Sequence, residues 1–264
     1  MGENTYTLIS GATGYLGKSF CSLLAARGEN LFLTARDREK LQALAEELRQ
    51  KYAVRVEYYP CQLQDELSRL LLFSAVREKG YVFDRLVNVA GADIQKPFAE
   101  YTQEKLVFQT RVNFEGAVSL THFVLERRAP RLEILTVSSV SGLYPMPYFA
   151  LYSATKGAET QFFSALRTEL KGQGVKVTCV LPGAMPTRAD VCEQIEGQGL
   201  WGKLAAKPTS FVAEKSLRAV QKNKRVYIPG FWNRTLQRFL KVIPMSVKIA
   251  FIAKRWSKIR KDAF

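Results

Sequence analysis

The chain has 264 residues, 47% apolar and 24% charged, and a formal net charge of +15. This composition excludes a disordered polyelectrolyte; the absence of an apolar run of about 20 residues predicts no membrane-spanning helix, and the length suits one large α/β domain. The charge is concentrated: between Gln221 and Phe264 twelve Lys and Arg face the single acid Asp262, a net +11, and the rest of the chain is nearly balanced.

In chain order, the apolar run ending in TLI predicts a strand over Thr5–Ile9, close enough to the start that no cleaved leader is expected. Tyr6 stands where a myristoylation signal beginning at Gly2 would carry Ser or Thr. The octapeptide SGATGYLG follows, with Gly11, Gly14 and Gly17 leading into a helix over Tyr15–Arg27. Strand, glycine turn and helix together form the context in which backbone N–H groups approach a phosphate at the positive end of a helix. An ordinary tight turn is the competing reading of the glycines alone. The next strand, Asn30–Thr34, runs into FLTARD. A carboxylate here would bind a free ribose 2′-hydroxyl, whereas a cation accommodates a 2′-phosphate. Position 35 is Ala and position 36 is Arg, so NADP is expected over NAD, with nearby Asp37 as the contrary sign.

A helix is predicted over Arg38–Tyr52, with Leu41, Leu44, Ala45 and Leu48 on one face. Further strands are predicted at Arg55–Tyr59, Arg85–Val89, Leu132–Ser138, Lys176–Leu181 and Val226–Ile228, with helices between them. The alternation implies a Rossmann-type, doubly wound parallel sheet of about seven strands with helices on both faces, its ligands outside the carboxyl ends of the strands. The aperiodic stretch from about 185 to 208 reads as a lid. The expected organisation is a dinucleotide-binding and catalytic domain over 1–230 and a basic amphipathic tail over 231–264.

The cysteines at 21, 61, 179 and 192 show no CxxC pairing and no ligand spacing with His122, so neither a metal site nor a disulfide framework is expected, and a reducing, cytoplasmic setting fits. His122 sits in an amphipathic helical run and reads as a surface or structural residue. A general acid must then come from Tyr, Lys, Asp or Glu.

YSATK at 152–156 places Tyr152 and Lys156 at i and i+4 on one helix face. An ammonium there is expected to lower the phenol's pKa toward the range in which it exchanges protons. Ser139, at the end of a strand thirteen residues earlier, could hydrogen-bond the same substrate oxygen. With the glycine turn, LVNVAG at 86–91, VNFEG at 112–116 and PGAMPT at 182–187, the chain resembles the short-chain dehydrogenase/reductase family, in its compact single-domain branch, over roughly Thr5–Thr187.

The resemblance implies an oxidoreductase in which Tyr152 moves the proton, Lys156 tunes the tyrosine and binds the nicotinamide ribose, Ser139 orients the carbonyl and Asn113 holds a water of the proton path. It implies cofactor contacts from Gly11, Thr13, Gly14, Tyr15, Leu16, Arg36, Leu63, Asn88, Ala90, Gly91, Pro182, Met185 and Thr187. Three positions depart from the pattern. Tyr15 replaces a glycine, giving the GxxGxxG spacing of the family's longer, nucleotide-sugar branch. Val89 replaces an asparagine that ties strands together, and Gln62 replaces an aspartate that contacts adenine.

Asp93, Leu143, Tyr144, Pro145, Met146, Tyr148 and Met185 are the expected pocket, and their mostly apolar character suits a small hydrophobic carbonyl or alcohol. The leading expectation is an NADP(H)-dependent oxidoreductase; a non-catalytic NADP-binding scaffold or sensor, and a nucleotide-sugar epimerase or dehydratase, are the alternatives. The tail interleaves Trp232, Leu236, Phe239, Phe251 and Trp256 with Lys and Arg, a pattern that fits either an anionic membrane surface or docking on its own domain or a partner subunit. No nucleic acid is expected as partner, and the resemblance implies a homodimer or homotetramer.

Overall fold

Apolar residues alternate along each strand and recur every three or four positions along each helix, so every element has a face that must be covered. The computed structural model of the chain describes residues 4–187, 191–192 and 204–257. Its elements are β1 (Thr5–Ser10), α1 (Tyr15–Ala25), β2 (Leu31–Ala35), α2 (Arg38–Lys51), β3 (Val56–Pro60), α3 (Glu66–Glu78) and β4 (Val82–Asn88). There follow α4 (Gln103–Thr110), α5 (Gly116–Glu126), β5 (Arg128–Val137), α6 (Ala150–Glu169), β6 (Val175–Val180), α7 (Thr209–Gln221), β7 (Val226–Tyr227), α8 (Phe231–Leu240) and α9 (Met245–Trp256).

The seven strands pair in parallel in the order β3-β2-β1-β4-β5-β6-β7. Alternation sorts their side chains between two cores. Ile9, Val87, Leu135 and Val180 face Phe20, Leu44 and Leu217 of α1, α2 and α7. Leu8, Leu86, Ile134 and Cys179 face Leu72, Phe123 and Phe163 of α3, α5 and α6. The strand order reverses between β1 and β4, and the crevice at their carboxyl ends is where this topology binds ligands.

All seven predicted strands are present, but β4 and β5 start earlier than apolar patterning indicated, at Val82 and Arg128. In the extension Phe83 lies opposite Arg128 and its N–H donates to Arg127 O at 2.9 Å; farther along, a charge cluster joins the strands. Arg85 lies opposite Glu133, donates to it from Nε and Nη2 at 3.1 and 2.9 Å, and is also paired with Glu29. Burial works against the guanidinium, but Glu29 and Glu133 outweigh it and raise its pKa. This cluster ties the middle of β4 and β5 to Glu29 in the loop before β2, three positions short of the carboxyl end of β4.

Between α4 and α5 the helix opens into one wide i→i+5 turn over Arg111–Glu115, closed by the Gly116 N–H on Arg111 O. His122 is 79% exposed, 3.4 Å from Glu126, as a surface residue would be. The four cysteines are free.

The two tail helices dock on the domain, and α8 does so with its polar side. Asn233 and Gln237 are its buried residues, while Phe231, Trp232, Leu236 and Phe239 are exposed. Asn233 Nδ2 donates to Ala205 O and Pro229 O at 2.9 and 3.0 Å, and Gln237 Oε1 accepts from the Tyr144 hydroxyl at 3.1 Å. Ile252 of α9 packs with Met146 and Phe149.

Candidate active site

The cofactor end of the crevice starts where β1 stops. Gly11 has φ 65°, a conformation that side chains resist, and a Cβ on it would stand 2.8 Å from Ala90 N. On the other side of the turn, a Cβ on Gly17 would stand 2.1 Å from Gly11 O. The turn is thus clamped between the segment after β4 and the second residue pair of α1. Tyr15 is 59% exposed, so the residue that departs from the compact pattern takes no part in the clamp. At the N-cap, Gly14 offers no side-chain acceptor and the first turn of α1 has no acid, which leaves its N–H groups for an anionic ligand. Thr13 is half-buried in the turn, and Leu16 is buried in the core, so Leu16 can contribute to binding only through its main chain.

At the end of β2 the two candidates for the ribose divide their roles. Asp37 caps α2, accepting from Lys40 N at 3.0 Å and pairing with Lys40 Nζ at 2.9 Å; these bonds hold its carboxyl below the usual range. Arg36 is exposed, its guanidinium 5.5 Å above the Phe108 ring. Gln62 Oε1 accepts from Gln64 Nε2 at 2.9 Å, which answers part of its bonding capacity internally. Leu63 is a core residue, and Asn88 turns its amide inward, donating to Thr121 Oγ1 at 3.1 Å and Thr136 Oγ1 at 3.4 Å. Both therefore face a nucleotide with main chain alone. The strand tie expected to be lost at Val89 is supplied by Ser10, whose Oγ accepts from Val89 N and Ala90 N at 3.2 and 3.4 Å.

Four side chains from three elements, the exit of β5, α6 and the wide turn, meet at the other end. Ser139 follows β5, where its Oγ accepts from Ser141 N at 3.1 Å, and it donates toward the Tyr152 oxygen. Tyr152 stands in the first turn of α6 with its ring stacked on Phe149, centroids 4.2 Å apart. Lys156, one turn on, is buried and donates from Nζ to Val137 O at 3.0 Å and to Glu159 Oε2 at 2.8 Å. Asn113 lies in the wide turn, its amide clasping Ala92 through N and O at 2.7 and 2.9 Å and donating to Thr155 Oγ1 at 3.2 Å. Above Gly91, Lys156 Nζ and Asn113 Oδ1 come within 3.3 and 3.4 Å of the point where a side chain would begin. That is a bare-backbone cradle lined by a cation and an amide, and it fits the ribose end of a dinucleotide.

The electrostatics differ from the sequence expectation in sign. Burial raises the pKa of the Tyr152 phenol; the Lys156 ammonium pulls it down and Asp93 pushes it up, so that the net direction is upward. For Lys156, burial works against the charge, but Glu159 and Tyr152 outweigh it and its pKa is raised. The phenol is consequently protonated at neutral pH and the amine charged.

Residues 5–194 match the short chain dehydrogenase family. The chain belongs to that family. Among curated relatives, it is 31% identical to the "Dehydrogenase/reductase SDR family member 7B" of Danio rerio over 245 residues, 86% of this chain and 78% of that one. It is 30% identical to a "Very-long-chain 3-oxoacyl-CoA reductase" of Pyrenophora tritici-repentis over 184 residues, 67% of this chain but only 54% of the relative. Among solved structures, a short-chain dehydrogenase from Sphingobium yanoikuyae in complex with NADPH superposes with a TM-score of 0.77 at 25% identity, covering 97% of this chain and 96% of that one.

As a short-chain dehydrogenase the protein is an oxidoreductase acting on CH–OH and keto groups. Beside Tyr152, Met146, Phe149 and Ile252 form a buried cluster, with Tyr144, Tyr152 and Trp256 packed against it. Tyr148 has φ 63°, a strained conformation for a bulky residue, in the loop that leads into α6. Pro182 O accepts from Val140 N at 3.1 Å, tying PGAMPT to the Ser139 turn. Met185 packs on the β1–α1 core, and Thr187 is half-buried at the edge of the described segment. Of the expected lid, residues 188–190 and 193–203 lie outside the described residues; Lys207 N donates to Ala184 O at 3.2 Å where the chain returns.

Four contributors escaped the sequence reading. Ser10 gave no signal beyond its place at a strand end. Ile252 and Trp256 share a face with other apolar tail residues, and nothing local says which of them the active site receives. Glu159 was detectable: Tyr152, Lys156, Glu159 and Phe163 follow one another at i, i+4, i+7 and i+11, so a carboxylate stands on the buried stripe of α6.

Proposed function

We propose that the protein is an NADPH-dependent ketone reductase whose substrate is a hydrophobic, lipid-like carbonyl compound. The observation that carries the reading is the half-buried Tyr152 beside Ser139 and Lys156, packed against a cluster of aromatic and aliphatic side chains. The nicotinamide cofactor, when bound, supplies the hydride. Ser139 and Tyr152 hold the carbonyl oxygen, Tyr152 gives it a proton, and the charged Lys156 stabilises the phenolate left behind. Asn113, clasped to Ala92, keeps the wide turn in register beneath this centre.

Preference for the phosphorylated cofactor is supported by Arg36 at the end of β2 and by the diversion of Asp37 into capping. The relatives' printed activity on very-long-chain 3-oxoacyl groups supports a lipid-like substrate. The test is NADPH absorbance with a panel of long-chain and polycyclic ketones, in the full chain and in Tyr152→Phe. Turnover should vanish in the variant while NADPH binding persists. Consumption of NADPH unaffected by the substitution, or no consumption by the natural chain, would support the scaffold or nucleotide-sugar readings instead.

We also propose that 231–264 rests on an anionic lipid surface in a cytoplasmic setting. The support is the inverted polarity of α8: Phe231 and Phe239 are 64% and 62% exposed and Phe251 of α9 is 67% exposed, on a segment rich in Lys and Arg. No helix among the described residues is long and apolar enough to cross a membrane, so this contact would be peripheral. Co-sedimentation with phosphatidylserine vesicles should fall when Phe231, Phe239 and Phe251 are changed together to Ser; equal pelleting refutes the idea.

A further inference from the structure

We infer that Glu159 is a positioning residue of this site: its carboxylate anchors the Lys156 ammonium from the core side and, as the counter-charge, keeps the Tyr152 hydroxyl protonated for donation. This deepens, and rests on, the reading of Tyr152 and Lys156 as the proton-transferring pair.

Glu159 is 1% exposed and sits 2.8 Å from Lys156 Nζ. A carboxylate in such surroundings is costly unless paired, and an aliphatic side chain would satisfy a merely structural position on this stripe. The groups that face the pair come from three elements. Tyr152 lies on α6 itself; the Cys179 thiol lies on β6, pushed up to about 12 by burial and by Glu159; and Asp93, beyond β4, acts on Tyr152. Lys156 is the cation among these groups, and Nζ divides its bonds between Glu159 and Val137 O. Without the carboxylate, the ammonium would act on the phenol uncompensated and would be free to leave the core side. Burial pushes the Glu159 carboxyl up to about 7 and Lys156 opposes that rise, so Glu159 carries its charge in the alkaline range where the phenol titrates. The arrangement favours a protonated phenol over a phenolate, which is the state that delivers a proton to a carbonyl oxygen.

The experiment uses the full chain as Glu159→Gln, which keeps shape without charge, Glu159→Leu, which fills the position as core, and Glu159→Asp, which restores charge. The Tyr152 phenol is titrated by carbon-13 NMR of labelled tyrosine, its signal assigned with Tyr152→Phe, and kcat/KM for ketone reduction is followed against pH. Removing the charge should move the phenol midpoint, and the alkaline limb of the profile with it, downward by about one pH unit, in whichever of the Gln and Leu variants folds; Asp should bring both back. Unshifted midpoints in a folded Gln or Leu variant overturn the inference. The titration needs neither cofactor nor substrate, so a shifted phenol in a chain that reduces no ketone refutes the reductase reading and leaves the role of Glu159 standing.

Discussion

Replacing Gly17 by alanine tests how the glycine turn is built. The added methyl would lie 2.1 Å from Gly11 O and 2.9 Å from Ala12 Cα and O, all backbone atoms. Gly11 cannot retreat, because Ala90 N is 2.8 Å from its own missing Cβ. Relief therefore requires α1 to move away from the turn by about an ångström. Overpacking of this kind costs about 1–3 kcal/mol, and at the upper end of that range here, offset by about 1 kcal/mol of helix propensity gained over glycine. A net loss of about 2 kcal/mol lowers Tm by roughly 4–8 °C in a chain of this size. The same displacement removes the first-turn N–H groups from a bound diphosphate, and losing one hydrogen bond to a charged group weakens binding by about 10- to 100-fold. Gly14→Ala is the control, since its methyl would meet only Gly11 O, at an ordinary 3.4 Å. Thermal unfolding and NADPH titration read both effects. A Gly17→Ala protein with the Tm and Kd of the natural chain, or an equal defect in Gly14→Ala, would refute the clamp.

Arg36→Ala should weaken NADPH by about 10- to 100-fold through loss of a charge-assisted contact and leave NADH unchanged; equal losses for both cofactors would show that Arg36 does not meet the 2′-phosphate. Because burial outweighs Lys156 and raises the Tyr152 pKa, the proton donor stays loaded through neutrality: kcat/KM for reduction should be flat near pH 7 and fall only on the alkaline side, while the reverse oxidation rises with pH. A reduction profile already falling below pH 7 contradicts that sign. Arg85→Leu leaves Glu29 without its cation and Glu133 with Lys176 alone, and should cost about 3 kcal/mol, read by urea denaturation, with cofactor affinity kept in the folded protein because the cluster lies below the carboxyl ends of the strands.

The helices and strands of the nucleotide half were legible because their signals are local. The stripe Leu41, Leu44, Ala45 and Leu48 is buried along α2 as spaced, and the strand-turn-helix around Gly11 needed no distant partner to be recognised. The early starts of β4 and β5 were not legible, since Asp84, Arg128 and Arg131 break the apolar pattern and these segments become strand only through pairing with each other, Phe83 opposite Arg128. For the same reason α8 read as amphipathic without revealing which side it would bury. Its apolar face is outward because Asn233 and Gln237 find partners at Ala205 and Tyr144, 28 and 93 positions away, besides the local Pro229 O.

Sequence by itself determined the order of elements, the parallel sheet, the glycine turn and the tyrosine-lysine pair, because each is written in spacings shorter than a helix. Tertiary structure alone decided the charge state of that pair. Lys156 one turn along predicts a more acidic phenol, yet burial beside Phe149 reverses the direction, with the charge of Asp93 adding to it and that of Glu159 contributing less. The free energy of a charge depends on how much water and how many counter-charges surround it, and those are set by packing between segments, not by neighbours along the chain.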